Sequence, residues 1–342
     1  MPSTDERPKR PTITDVAALA GVSKGAVSRA FNGGVGISVE TAAMIRKAAE
    51  ALDWSPSSSA RAVSGGPAEA IGLVVRRPAE LLEIDPFFPA FLAGVEGTLS
   101  EAGFSAVIRF VSDAAAERHS YRQLFTARRV DGFLLTDLRA DDFRFRQLTD
   151  LGAPTVVAGS PDASCPFPSV GTEGVSELRQ LIEHLIAKGH KVIGHVAGLA
   201  GLTHSIARED VWRQTLIAAG LEPGPLVPSD YTTEGGARAT LEMLERRPVP
   251  TAIVYGNDMM AIAGMSVLAS RGIRIPEDMA VAGIDGIRLA SYVDPPLTTI
   301  HRDYRALGSI ASGLLLDLVR GEPVNQHTEL VGSLELRAST GD

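Results

Sequence analysis

Three short helical patterns between residues 12 and 52 constrain the fold of this chain more than any other stretch. Thr12 is suited to cap the first helix, and Asp15 follows three residues later, as in a capping box. A tight turn is predicted at Gly21, and Ser23 then caps a second helix. The first two helices are therefore short and separated by a glycine turn.

The second helix is predicted over residues 24–31, and a pair of glycines at 33 and 34 ends it. Ser38 caps a third helix, whose apolar residues share one face: Ala42, Ile45, Ala49 and Leu52. Two short helices around a glycine turn, braced by a third, are typical of a helix-turn-helix, which places its second helix in the major groove of DNA. Short alanine-rich helices also occur in small bundles without DNA, and that alternative stays open on this pattern alone.

From residue 70 onward, short apolar runs alternate with helical patterns. Strands are predicted at 71–75, 104–110, 130–135 and 154–158, and in a second set at 192–196, 251–255 and 279–284, with a last strand at 328–337. This alternation predicts parallel sheets wrapped by helices, and its two sets predict two doubly wound lobes. The predicted fold class is therefore α/β, with an all-α head, a hinge and two lobes.

The charge of the chain is unevenly divided. Residues 1–66 hold eight basic and six acidic side chains, and the remainder holds 25 basic and 35 acidic ones. The head therefore carries a net charge of +2 and the body −10, out of −8 for the whole chain. This asymmetry fits a DNA-binding head on a body that does not contact the phosphates, although ordinary solvated surface can produce the same difference.

Cysteine content and the amino terminus bound the compartment. Cys165 is the only cysteine, so an intramolecular disulfide and a thiolate metal cluster are both excluded. The first ten residues are charged and lack an apolar core, and no apolar run is long enough to span a bilayer. We expect a cytoplasmic protein without a membrane partner.

Several runs of residues carry a family resemblance. Residues 12–64 resemble the head of the LacI/GalR family of bacterial repressors, in Thr12-Ile13, Asp15-Val16-Ala17, Ala20-Gly21-Val22-Ser23 and Val27-Ser28-Arg29. The body resembles the periplasmic-binding-protein-like effector domain of the same family, in Asp85-Pro86-Phe87-Phe88, Val130-Asp131-Gly132, Asn257-Asp258-Met259 and Val281-Ala282-Gly283-Ile284-Asp285. The resemblance covers residues 11–340.

The resemblance implies a division of the chain into a tail at 1–11, a helix-turn-helix at 12–56, a hinge at 57–67 and an effector domain at 68–342. Within the effector domain it implies three crossings between the lobes, placed near Gly171, Thr299 and Pro323. The first lobe would then hold about 68–171 and 299–323, and the second about 172–298 and 324–340.

The second helix, which would enter the major groove as the recognition helix, supplies the predicted base contacts. Lys24 is the candidate for a guanine contact and Arg29 for a base or a phosphate contact, while Gly25 and Ala26 offer only close approach or a methyl group. Hydroxyl and amide side chains are expected to hold phosphates: Thr12, Ser23, Ser28 and Asn32.

The hinge is the second predicted DNA contact. The resemblance implies that it folds into a helix only on DNA and that an apolar side chain opens a base step in the minor groove. Val63 stands where the family usually has leucine, Ala60 would lie against the groove floor, and Arg61 near the backbone.

The effector site is predicted from strand ends, because doubly wound lobes bind ligands beyond the carboxyl ends of their strands. Asn257 and Asp258 follow one predicted strand, Asp285 follows another, and Arg208 lies in a helix after a third. Such groups hydrogen-bond sugar hydroxyls, and aromatic faces for the apolar side of a sugar are offered by Phe87, Tyr231 and Tyr304. For Asp258, capping of the following helix is an equally good interpretation.

Together these features predict a DNA-binding repressor that works as a homodimer on a palindromic operator and is released by a small molecule, with a sugar favoured. A co-repressor such as a nucleobase and a solute-binding protein remain alternatives. An enzyme is not expected, because no convergent catalytic set is present. No cofactor is implied, and no metal either, because His184, His190 and His195 cross a helix, a turn and a strand and need not converge.

Overall fold

The computed structural model describes residues 11–31, 36–55, 66–77, 85–171 and 175–342. Its amino-terminal part is a three-helix head consisting of α1 (Ile13–Leu19), α2 (Lys24–Phe31) and α3 (Val39–Ala51). Val16, Val27 and Ile45, one from each helix, are fully buried together at its centre. The predicted helices are confirmed.

The caps explain where the head helices begin. The Asp15 carboxylate accepts the backbone N–H of Thr12 at 2.7 Å. The Ser23 hydroxyl accepts the N–H of Ala26 at 3.2 Å, and Ser38 accepts that of Thr41 at the same distance. Each bond pairs a backbone N–H group at the start of a helix, where the helix itself offers no acceptor.

The first lobe is built on a parallel six-stranded sheet. Its elements are β1 (Ala70–Val75), α4 (Phe87–Glu101), β2 (Ser105–Phe110), α5 (Ala114–Thr126), β3 (Gly132–Leu135), α6 (Phe143–Leu151), β4 (Thr155–Ala158), β5 (Ser169–Gly171), α11 (Tyr304–Arg320) and β11 (His327–Glu329). The strand order is β11-β5-β4-β3-β1-β2. The central strands are buried on both faces, as a sheet with helices on both sides requires.

The second lobe repeats this plan. Its elements are α7 (Val175–Ala187), β6 (Ile193–Val196), α8 (Thr203–Ala218), β7 (Leu226–Val227), α9 (Thr233–Glu245), β8 (Ala252–Tyr255), α10 (Asp258–Ser270), β9 (Ala280–Asp285), β10 (Thr298–His301) and β12 (Ser333–Glu335). The strand order is β12-β10-β9-β8-β6-β7, in which only β12 pairs antiparallel. The predicted α/β class with two doubly wound lobes is confirmed.

Two details at the lobe crossings differ from the sequence-based expectation. The last predicted strand, at 328–337, is in fact two strands in different sheets: His327–Glu329 pairs with β5, and Ser333–Glu335 pairs with β10. The chain therefore returns to the second lobe after Glu329, and the boundary near Pro323 is wrong. Gly332 stands between the two strands, and its N–H donates to Glu177 at 3.0 Å. Thr299 lies within the second sheet, so the preceding crossing follows His301.

Helices α4 and α11 pack backbone to backbone in the first lobe. A Cβ on Gly94 would lie 2.0 Å from the carbonyl oxygen of Arg305, and one on Gly308 would lie 2.1 Å from that of Phe91. Only glycine permits this approach.

We therefore expect Gly94→Ala to lower the free energy of unfolding by about 1–3 kcal/mol, the usual effect of overpacking. Gly97→Ala in the same helix is the matched control, because a Cβ on Gly97 would meet no neighbouring heavy atom within 4 Å among the residues that the structure describes. Alanine there should raise helix stability by about 0.5–1 kcal/mol. Urea denaturation of both variants measures the difference, and equal effects would contradict the close packing.

Candidate functional sites

The exposed face of α2 carries the side chains predicted to reach DNA. Lys24, Gly25 and Arg29 are exposed, while Val27 faces the head core. A Cβ on Gly25 would stand 3.5 Å from the Arg29 guanidinium, so the Arg29 side chain lies back along the helix over Gly25. Ala26 and Ser28 are half-buried beside them. The helix thus presents two cations on one open face.

The predicted phosphate contacts also have structural roles. The Ser23 hydroxyl caps α2, and the hydroxyl of Thr12 donates to Asp15 at 2.7 Å. Both side chains are exposed and lie at helix starts, where anions are bound favourably. A phosphate contact by Thr12 requires its hydroxyl proton to turn away from Asp15. Asn32, Ala60, Arg61 and Val63 lie outside the described residues.

Six of the seven predicted effector residues line one cavity between the two lobes: Phe87, Arg208, Tyr231, Asn257, Asp285 and Tyr304. They come from both lobes and lie beyond the carboxyl ends of the parallel strands. The rule that ligands bind beyond the carboxyl ends of parallel strands, which we call the strand-end rule, therefore located the cavity.

Asp285 is the central acidic group of this cavity. It ends β9, is 7% exposed, and accepts a hydrogen bond of 2.6 Å from the Tyr304 hydroxyl. Burial and, secondly, the charge of Asp258 raise the pKa of Asp285 to about 8, against the opposing attraction of Arg208. Near neutral pH the carboxyl therefore holds its proton much more readily than an exposed aspartate, and it can both donate and accept hydrogen bonds.

Arg208 and Arg302 supply the donors around this carboxyl. Arg208 lies in α8 and donates to the carbonyl of Gly256 at 2.6 Å, which anchors the guanidinium at the end of β8. Arg302 follows β10 directly, and burial together with the neighbouring charge of Arg208 lowers its pKa. Two guanidinium groups beside one acid form a donor-rich wall.

Asn257 and Asp258 were both expected in the effector site, and the structure separates their roles. Asn257 caps α10, accepting the N–H of Met260 at 2.8 Å, and its amide donates to the carbonyl of Tyr231 at 3.1 Å. Asp258 does not line the cavity and is fully buried. The Asp258 side chain therefore does not reach the cavity in which the effector site was predicted.

The Asp258 carboxylate instead joins strand ends of the second lobe. It accepts the Thr299 hydroxyl at 2.6 Å and the N–H of Ile287 at 2.9 Å. Burial raises its pKa to about 6 despite these bonds. As the first residue of α10 it points sideways toward β9 and β10 rather than into the cavity.

The first lobe contributes a buried ionic cluster that was not predicted from the sequence. It consists of Arg77, Asp85 and Asp137, and we call it the ionic wall. Arg77 is 8% exposed and binds Asp137 through two hydrogen bonds of 2.6 Å, one from Nε and one from Nη2. Its Nη1 donates to Asp85 at 2.7 Å. The guanidinium lies 5.3 Å from the ring centroid of Phe88 and 5.9 Å from that of Tyr231, which belongs to the second lobe.

The strand-end rule, applied to every strand, also finds these residues. Arg77 lies two positions after β1, Asp137 two after β3, Ser160 two after β4, and Arg302 directly after β10; all four line the cavity. The effector residues predicted from the sequence by this rule lie mainly in the second lobe.

Two further features belong to the cavity: a pair of aromatic rings and three residues with strained backbone. Phe87 and Tyr304 begin α4 and α11, and their rings meet edge to face with centroids 4.9 Å apart. Tyr231 and Asp285 have positive φ values of 68° and 126°, and Asp137 has one of 52°. Non-glycine residues adopt such conformations at a cost of about 1–3 kcal/mol each, and they concentrate at functional sites.

The three histidines considered as metal ligands have separate partners. Nδ1 of His195 contacts the carbonyl oxygen of Val254 at 2.8 Å, Nδ1 of His190 contacts the hydroxyl of Thr251 at 3.0 Å, and Nε2 of His184 contacts Asp342 at 2.9 Å. Within the described ranges, no group of three His, Cys, Asp or Glu residues is arranged to hold a metal ion. No helix in these ranges has the length and apolar character needed to cross a membrane.

A helix-turn-helix head joined to two doubly wound lobes with a cavity between them defines an effector-responsive DNA-binding regulator. Family comparisons agree: residues 12–57 match the bacterial regulatory proteins of the lacI family, and residues 182–340 match the periplasmic binding protein-like domain.

Relatives match over nearly the whole chain. The HTH-type transcriptional regulator CelR of Thermobifida fusca is 33% identical over 93% of this chain and 94% of its own length. The HTH-type transcriptional repressor CytR of Escherichia coli strain K12 is 29% identical, with 96% of each chain covered. The chain belongs to the LacI family of bacterial transcriptional regulators, and it is a regulator rather than an enzyme.

Solved structures agree in fold. A CelR–cellobiose complex superposes with a TM-score of 0.73 at 31% identity, covering 96% of this chain and 100% of the other. The lac repressor dimer bound to operator and the anti-inducer ONPF gives a TM-score of 0.81 at 27% identity, covering 97% and 99%.

Proposed function

We propose that this protein is a cytoplasmic, dimeric repressor that binds a palindromic operator and is released when a sugar occupies the cavity between its lobes. The observation that carries the sugar assignment is the lining of that cavity. It combines Asp285, Arg208 and Asn257 with the aromatic rings of Phe87 and Tyr304. Several donors and acceptors with an aromatic face are what a polyol ring requires.

The relatives support the same assignment. The similar CelR structure is a complex with cellobiose, and the similar lac repressor structure is a dimer on its operator. In a two-fold dimer the two recognition helices face two half-sites, which makes the operator palindromic. In this proposal the lobes are arranged differently in the operator-bound and the released protein. A sugar that binds between them therefore couples its own concentration to operator affinity.

Operator release is the experiment that tests this proposal. The full-length protein is mixed with fluorescent DNA taken from upstream of its own gene, and anisotropy is measured at two salt concentrations. Cellobiose, glucose and other sugars are then titrated in, with adenosine and hypoxanthine alongside. Release by a sugar supports the proposal. Release or tightening by a nucleobase or nucleoside alone would replace the sugar assignment, and absence of specific binding by the intact dimer would refute the repressor.

Lys24 in the recognition helix gives a sharper test of the DNA interface. We expect Lys24→Ala to weaken operator binding by about 10- to 100-fold, because a good contact with a base edge contributes ~1–3 kcal/mol of discrimination. Lys47→Ala, an exposed lysine of α3, removes the same charge and is the control. It should weaken binding to operator and to random DNA equally. If Lys24→Ala also weakened both equally, its role would be phosphate contact only.

A further inference from the structure

Two short segments of backbone join the lobes beside the cavity. Leu138 and Arg139 belong to the first lobe, and Leu202 and Thr203 to the second; together we call them the latch. We propose that the latch is the gate of the cavity, holding the lobes closed and positioning the effector-binding face of α8. The effector part of this inference rests on the proposed function.

The contact between the segments is made by backbone groups. The N–H of Thr203 donates to the carbonyl of Leu138 at 2.9 Å, and Arg139 pairs with Leu202 in an isolated antiparallel bridge. Thr203 is the first residue of α8, so its N–H has no acceptor within the helix. The other lobe supplies that acceptor.

Each segment is anchored in the core of its own lobe. Leu138 is 3% exposed and packs among the buried residues of the first lobe, and Leu202 is 1% exposed and packs in the second. Movement of either segment therefore requires movement of its lobe.

A buried arginine fixes the first-lobe side of the latch. Arg144 donates to the carbonyls of Thr136 and Asp137 at 2.9 and 3.0 Å, and its Nε donates to Asp142 at 2.8 Å. Asp142 in turn accepts the N–H of Arg139 at 3.2 Å. Charge-assisted hydrogen bonds within the first lobe thus hold the loop that carries the Leu138 carbonyl. They fix the conformation of this loop without a contribution from the second lobe.

The latch adjoins the cavity on both sides. Asp137, which binds Arg77, precedes Leu138, and His204 follows Thr203; both line the cavity. Arg208 lies five residues along the same helix, about 7.5 Å away at the usual helical rise. Closing of the latch therefore also brings the ionic wall of the first lobe against α8. A bound ligand leaves the cavity only after the latch opens.

Thr203→Pro removes the hydrogen bond with little other disturbance. Proline has no N–H and is favoured at the first position of a helix. The preceding Leu202 has φ −82° and ψ 133°, the extended conformation that a residue before proline prefers. Thr203→Ala loses the same side chain and keeps the N–H, so it is the matched control.

The lobe arrangement is measured without ligand in the full-length protein. Spin labels on the exposed positions Ala140→Cys and Ile206→Cys, in a Cys165→Ser background and diluted with unlabelled protein, report the distance across the latch by pulsed electron resonance. We expect one short, narrow distance for wild type and Thr203→Ala and a longer, broader one for Thr203→Pro. Coincident distributions for Thr203→Pro and wild type would overturn the proposal.

Amide exchange tests the latch even if the proline variant fails to fold. In wild type the Thr203 amide should exchange at least about tenfold more slowly than its intrinsic rate, as expected for one intact hydrogen bond. Exchange at the intrinsic rate would show that the lobes do not pair there and would overturn the latch.

A ligand measurement separates the latch from the proposed function. With cellobiose as the probe, Thr203→Pro should raise its dissociation rate by about tenfold relative to Thr203→Ala. Unchanged dissociation would overturn the gating role while leaving the sugar assignment intact. If cellobiose does not bind wild type, the distances and the amide exchange still decide whether the latch exists, and only the assignment of that sugar fails.

Discussion

Replacing Asp285 by asparagine is expected to make the protein more stable than wild type near pH 8 and to flatten the dependence of its stability on pH. Burial and the neighbouring Asp258 raise the pKa of Asp285 from 3.8 to about 8. The folded state therefore binds this proton more tightly than the unfolded state. The resulting stabilisation is fully present below about pH 4 and is lost as the pH rises toward 8.

The slope gives the expected magnitude. Where the folded protein holds the proton and the unfolded chain does not, the free energy of unfolding falls by about 1.4 kcal/mol per pH unit. Burial also raises the pKa of Asp258, which adds to this fall mainly at lower pH. Burial lowers the pKa of His195 and His204 below the usual value of 6.5, so they act in the opposite direction in the lower part of this range. Both contributions are present in wild type and variant alike, so the difference between the two slopes reports Asp285. Asparagine is neutral, has nearly the same shape, and still accepts the Tyr304 hydroxyl.

Urea denaturation at pH 6, 7 and 8 compares wild type with Asp285→Asn. The control is Asp278→Asn, an exposed aspartate whose pair with Arg274 lowers its pKa to about 2. Its contribution is lost only as the pH falls below 3.8, so this control should leave the slope between pH 6 and 8 unchanged. An equal slope in wild type and Asp285→Asn would show that Asp285 is ionised in the folded state.

An acid that lowers stability at neutral pH is better explained by the proposed effector site than by folding. Positions that violate local rules of stability are expected at functional sites. Asp285 violates two, since it is a buried acid and has a positive φ. The sequence could indicate that an acid follows this strand, but not its burial, because that depends on the surroundings formed by Asp258, Tyr304 and the first lobe.

The elements of the fold were predictable because their signals are local. Helix caps such as Ser23 and Ser38, glycine turns and runs of apolar residues act within a few positions of the chain. The break between β11 and β12 was not predictable, because one continuous alternating run serves two sheets, and only tertiary pairing decides where it divides.

The candidate site shows the same division between local and tertiary information. Asn257 and Asp258 both follow a strand, and their order in the sequence does not tell which side chain faces the cavity. The start of α10 decides it, since Asn257 becomes the cap and Asp258 turns toward Thr299. Arg77 was missed for a different reason, because a lone arginine after a strand has no recognisable motif until Asp85 and Asp137 converge on it.

Arg208→Met is expected to raise the sugar concentration needed for operator release by about 10- to 100-fold, while operator affinity without sugar stays unchanged. A hydrogen bond from a charged donor contributes about 1.5–3 kcal/mol, and Arg208 is the cavity donor carried by α8 and anchored on Gly256. Methionine keeps an apolar stem of similar length, so the loss is mainly that of the guanidinium.

Arg213→Met is the matched control for this prediction. Arg213 lies five residues further along α8, is half exposed, and pairs with Asp210 of the same helix at 3.2 Å. Surface pairs of this kind contribute less than about 1 kcal/mol, so the variant should respond to sugar as wild type does. Operator anisotropy titrated with cellobiose, or with whichever sugar releases wild type, measures both variants. A wild-type response from Arg208→Met would move the sugar away from α8 and remove Arg208 from the proposed site.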